Sequence, residues 1–171
     1  MTTSSPLKSS SSSASILSTG LLMGLAGGAA EVAVVSAYAA VSGSDAGLVG
    51  RGVAAAVGMD GGSALSGVAV HMGISLVLGM ALAALMQTRL ARKLPTGAIF
   101  PVMMATLAGI WLVNFFVVLP VVSPAFVHIL PFAVTLASKL AFGLSAAMAG
   151  LAFVTRPAAR PVPALTLSMH G

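Results

Sequence analysis

Glu31 and Lys139 are the residues of this chain best placed to do chemistry. Each lies inside a long apolar run, and they are the only acidic and the only basic residue so placed. A charge inside a membrane segment is expensive to keep, and it marks a pathway, a ligand site or a partner of opposite sign. The opposite signs make an intramembrane ion pair the first expectation. Such a pair can be a proton- or ion-responsive centre in a small-molecule pathway. It can also do no more than fix helix register, because removing one partner of a buried pair costs about 3–5 kcal/mol.

Other polar residues fall on related helix faces, which repeat every three and four residues. Gly67, His71, Ser75, Gly79 and Ala83 follow one another at intervals of four. His128, Thr135, Lys139, Gly143 and Ala147 share a second face. Gly20, Gly24 and Gly28 form a stripe of small residues, with Glu31 and Tyr38 one step around from it. Trp111 and Asn114 stand three apart. Small residues let a neighbouring backbone approach closely, so these faces are expected to point inward. They predict a polar pocket of His71, Asn114, His128, Ser75, Thr135, Tyr38 and Trp111 around the Glu31–Lys139 pair.

His71 and His128 raise the question of a cofactor, since neutral imidazole is a common metal ligand. Paired-ligand spacings such as H-x-x-x-H and E-x-x-H are absent, so neither metal nor cofactor is expected. A haem- or metal-binding redox protein stands as an alternative. Ten methionines read as adaptable apolar packing. No G-x-S-x-G, H-E-x-x-H or phosphate-binding loop is present, and no enzymatic activity is expected.

The elements that must position these residues follow from composition. Of 171 residues, 58% are hydrophobic and 6% charged, with a mean hydropathy of +1.07. A soluble domain is about 25% charged, so the chain reads as a membrane protein. Its pI near 10.9 does not indicate nucleic acid binding, because the basic residues are scattered and not gathered on one face. Cysteine is absent, which removes disulfides and thiolate chemistry.

Residues 1–15 are Ser/Thr-rich and 155–171 Pro/Arg-rich, and both read as flexible tails. Between them lie four apolar runs, 16–41, 65–87, 98–122 and 125–154. Each reaches the roughly 20 residues a spanning helix needs. Backbone groups in lipid must be satisfied within helices or closed barrels, and continuous Leu/Ala/Gly/Val runs favour helices. Four spans put Lys8, Arg89, Arg92, Lys93, Arg156 and Arg160 on one side and Arg51 on the other. The excess of basic residues then predicts cytoplasmic N- and C-termini. Ala37-Tyr38-Ala39 matches a signal-peptide cleavage pattern, but the run before it is long and contains Glu31, so the first span is expected to be retained.

The connection 42–63 admits two readings, a flexible loop or a short interfacial or re-entrant helix within Ala46–Met59. Asp45 and Asp60 beside it read as solvated. The fourth run is too long for one straight span. Either it kinks at Pro131, or the span starts near Pro131 and 120–130 lies along the outer interface. Ser123-Pro124 resembles a helix cap followed by proline at the first helical position.

At about 1.5 Å per residue, Glu31 lies roughly 15 Å from its outer helix end. His71 and Asn114 lie roughly 9 Å in, and Lys139 roughly 12 Å in if its span starts at Pro131. First and fourth helices are neighbours in an up-and-down four-helix bundle, which brings Glu31 and Lys139 together. The sequence therefore predicts an all-α fold, a polytopic four-transmembrane-helix bundle in a cell membrane of the bacterial inner-membrane type. The expected function is binding or conducting a proton, ion or small molecule, as a homo-oligomer or a subunit of a membrane complex. A structural or assembly subunit is the alternative.

Overall fold

The structure is a computed structural model, and it describes residues 9–88 and 93–154. The expectations for Lys8, Arg89, Arg92, Arg156 and Arg160 lie outside the described residues. All regular structure within them is helical. Helix α1 spans Ser9–Ser42, α2 Ala46–Ala56, α3 Ala64–Met86 and α4 Thr96–Val113. A π-helical turn, Asn114–Val118, joins α4 to α5 (Leu119–Val122). A 3-10 turn at Pro124–His128 leads to α6, Phe132–Val154. Four helical stretches are long and apolar enough to cross a membrane: Ile16–Ser42, Ala64–Met86, Gly97–Val122 and Phe132–Ala152.

Helix α1 starts at Ser9, inside the stretch read as a flexible tail. The serine run contains no breaker, and extending an existing helix by a residue is far easier than nucleating one. At its other end Gly43 takes φ 69°, and Ser44 N–H donates to Ala39 C=O at 3.0 Å. That bond closes a Schellman motif, which needs a left-handed residue best supplied by glycine.

The connection after α1 contains a helix. Asp45 caps α2 by accepting from Gly47 N–H at 2.7 Å, and its carboxylate also pairs with Arg51. Asp45 is exposed, as expected, but it is a cap and an ion-pair partner as well. Gly58, with φ 79°, ends α2 through bonds from Gly58 N–H to Ala55 C=O and from Met59 N–H to Ala54 C=O. Ser63 then caps α3 by accepting from Ser66 N–H.

Pro131 separates the last two elements completely, so the fourth span begins at Phe132 and not at residue 125. Ser123 makes no side-chain cap bond, and the turn it precedes is 3-10. The π turn ahead of it was not legible in the sequence. There Leu119 N–H reaches back to Asn114 C=O. Pro120 has no N–H and its ring crowds the carbonyl one turn back, which a widened turn accommodates.

The helix order across the bundle is α3, α1, α6, α4. Helix α1 packs along both α3 and α6, and α4 packs on α6, whereas α3 and α4 scarcely approach each other. A plain up-and-down bundle would bring those two together. The glycines explain the difference. A Cβ on Gly24 would lie 2.6 Å from Leu76 Cα, and one on Gly28 2.8 Å from the Ser75 side chain. Gly79 faces the backbone of Gly20 and Gly24 in return. Small residues thus draw α3 onto α1, and nothing comparable draws it to α4. In the half of the bundle away from α2, Met23, Leu82, Met103, Leu107 and Phe142 close one core. In the half beneath α2 the separation of α3 from α4 leaves space.

Candidate functional site

That space is a cavity of about 410 Å³. Its walls are α1, α3, the π turn with α5, and α6. Its roof is α2, through Val49, Gly50 and Val53, together with Phe126, Ile129 and Leu130 from the third connection. With the fourth span starting at Phe132, the third connection is long enough to share the roof with α2.

Most polar groups come from the deep part of this lining, with Ser36 above them on α1. Glu31 is 5% exposed, and its Oε1 lies 2.7 Å from Lys139 Nζ. Lys139 sits about two turns into α6, and its ammonium also stands 5.4 Å from the centre of the Phe142 ring, within cation–π range. Phe142 is held there by the absence of a side chain on Gly27, whose Cβ would fall 2.7 Å from the ring.

The other carboxylate oxygen is different. Glu31 Oε2 is buried and has no hydrogen-bond partner. His71 Nε2 is 3.6 Å away, too long for a hydrogen bond of ordinary strength. His71 Nε2 is also 3.5 Å from Ser75 Oγ, a marginal contact. A buried polar atom without a partner is unusual, because the lost hydration is not returned.

Around this centre the cavity is lined by Asn114, Thr135 and Ser138. Thr135 Oγ1 donates to Phe132 C=O at 3.0 Å and accepts from Trp111 Nε1 at 3.0 Å. Ser138 Oγ donates to Thr135 C=O at 2.9 Å. Asn114 opens the π turn, so the irregular backbone and the polar side chain coincide.

The structure therefore brings Glu31, Lys139, His71, Ser75, Asn114 and Thr135 to one cavity. It does not place the other three there. Trp111 stands behind Thr135, 7% exposed, in a cluster with Phe115, Phe116 and Phe132. Tyr38 is about 10 Å further up α1 than Glu31, near the Gly43 turn. His128 lines a separate, shallower cavity with Phe116, Pro124 and Phe132, so the two histidines do not share a ligand site. Ser138 was missed by sequence reasoning. Its position beside Lys139 and one turn after Thr135 was the available signal.

What these elements define is a multi-pass helical membrane protein with a polar cluster at the base of a largely apolar cavity beneath α2. No protein-family model, curated protein or solved structure matches the sequence.

Proposed function

We propose that this chain is a small-molecule-binding membrane protein, and that the cavity beneath α2 is its binding site. Binding pockets are typically about 300–1,000 Å³, mostly apolar, with a few polar groups that fix orientation. The observation that carries the reading is the Glu31 carboxylate: buried at the cavity wall, one oxygen on Lys139 and the other without a hydrogen bond, 3.6 Å from His71 Nε2. A pair that only set helix register would be expected to satisfy both oxygens.

The reading includes an orientation. Both termini face the cytoplasm, following the excess of basic residues on that side, and the cavity opens in the outer half. The membrane is of the bacterial inner-membrane type. An assembly subunit is the weaker reading, because the glycine stripe that would dock a partner is consumed inside the chain, by α3.

Native mass spectrometry of protein released from lipid nanodiscs tests the proposal. The wild type retains a small-molecule adduct, and Val53→Phe, which fills the cavity from its roof, loses it. A wild type without an adduct, or an adduct equally retained by Val53→Phe, contradicts the binding site.

A further inference from the structure

We infer that the ligand is a neutral, hydroxyl-bearing apolar molecule that reaches the cavity sideways from the bilayer, between α3 and α4. This rests on the cavity being a binding site, and it adds the ligand's chemistry and its route.

The head group follows from charge. Glu31 and Lys139 neutralise each other, so the cluster has no net charge to offer a charged ligand. An ammonium or a carboxylate held there would be an uncompensated buried ion, which proteins avoid. A neutral group that both donates and accepts suits what is left over. The Lys139 ammonium has three N–H groups, and its one ion-pair partner is Glu31 Oε1. Glu31 Oε2 is sealed from the cavity by its burial, and the lining offers the Asn114 amide oxygen as an acceptor instead. A single hydroxyl fits this arrangement: its oxygen accepts from Lys139 and its proton goes to Asn114.

The body of the molecule follows from the rest of the wall. Above the polar cluster the lining is mostly Val, Ile, Leu, Phe, Ala and Gly, with the Ser36 hydroxyl at its α1 edge, which rewards an aliphatic or aromatic body. The route follows from exposure. Ile74 on α3 is 55% exposed, Val118 on the π turn 42% and Val122 on α5 59%, and all three also line the cavity. The cavity edge therefore reaches the outer, lipid-facing surface on the flank where α3 and α4 do not close.

Trp111 supplies the test, being the only tryptophan and hydrogen-bonded to Thr135 of the cavity wall. Protein in nanodiscs is titrated with octanol, octylammonium and octanoate while Trp111 emission is followed. Octanol is expected to give a saturable shift, with either ion at least about tenfold weaker, a difference of about one decade in Kd. Val53→Phe is expected to abolish the shift. The double variant Glu31→Gln/Lys139→Met, which keeps the cluster neutral, is expected to weaken octanol about tenfold. If either ion saturates the signal at or below the octanol concentration, the head-group assignment is wrong while the cavity remains a binding site. If no probe gives a signal that Val53→Phe removes, the binding site itself is wrong.

Discussion

Glu31 Oε1 and Lys139 Nζ are 2.7 Å apart across the α1–α6 interface, and the packing around them fixes where each can be. Gly27 lets Phe142 lie flat against α1, and Phe142 supports the Lys139 ammonium. The pair is thus held by a glycine one turn below the glutamate as much as by charge.

Single removal of either charge should be costly and joint removal mild. Glu31→Gln or Lys139→Met alone is expected to destabilise by about 3–5 kcal/mol, because each leaves a buried charge uncompensated. The double variant should recover most of that loss. Denaturant unfolding in mixed micelles provides the cycle; additive losses would show that the two residues are not energetically paired.

Gly27 and Gly73 make a matched pair of substitutions. A Cβ on Gly27 runs into the Phe142 ring, whereas one on Gly73 meets nothing within 4 Å. Gly27→Ala should cost about 1–3 kcal/mol through overpacking, and Gly73→Ala should be neutral or stabilise by about 0.5–1 kcal/mol. Adding Phe142→Ala should make Gly27→Ala far less harmful. Thermal unfolding of the four variants decides the matter.

The roof helix α2 is held by two contacts of different kinds. Gly50 and Gly67 bring the α2 and α3 backbones together with no room for a Cβ on Gly67, so Gly67→Ala should speed hydrogen exchange of α2 amides. The second contact is the cap. The Arg51 guanidinium, and then the Gly47 N–H, hold the Asp45 carboxyl below its usual range. A carboxyl with a lowered folded pKa stabilises above its unfolded value, about 3.9 for Asp, and that contribution fades as pH falls through the folded value. The protection factors of α2 amides, with intrinsic exchange divided out, should therefore fall as the pH is taken below about 4, and Asp45→Asn should remove much of that dependence. An α2 whose protection ignores both Gly67→Ala and acid would not be the docked roof described.

Much of this architecture was legible in sequence because it depends on long, strong signals. Four apolar runs specify four spans, and two isolated charges of opposite sign on the first and last of them specify a contact. What stayed hidden was set by tertiary packing. The π turn at Asn114 depends on how α4 meets Pro120. The gap between α3 and α4 arises because Gly20, Gly24 and Gly28 are spent on α3, a pairing that periodicity alone does not assign. Pro131 gave two outcomes, and only the packed chain selects the one that frees Phe126 and Ile129 to roof the cavity. Tyr38 shared a helix face with the site in sequence, but height along the helix, not face alone, decides who reaches a cavity; His128 left the face altogether, because the break at Pro131 puts it in a separate 3-10 turn.

Orientation is open to a direct check. C-terminal fusions to a reporter active only in the cytoplasm should be functional, and fusions to one active only outside should be silent. The reverse result would turn the cavity toward the cytoplasm.

The central claim is that the deep side of the bundle half beneath α2, next to Glu31, is an open cavity and not packed core. The chain has no cysteine, so single-cysteine variants report cleanly. Ser138 lines the cavity although only 6% exposed, and Leu107 in the inner core is 0% exposed. In nanodiscs, Ser138→Cys is expected to react with a small neutral thiol reagent and to be protected when Val53→Phe is added. Leu107→Cys should stay unreactive. Ser138→Cys as inert as Leu107→Cys would contradict the cavity, and with it the site built around Glu31.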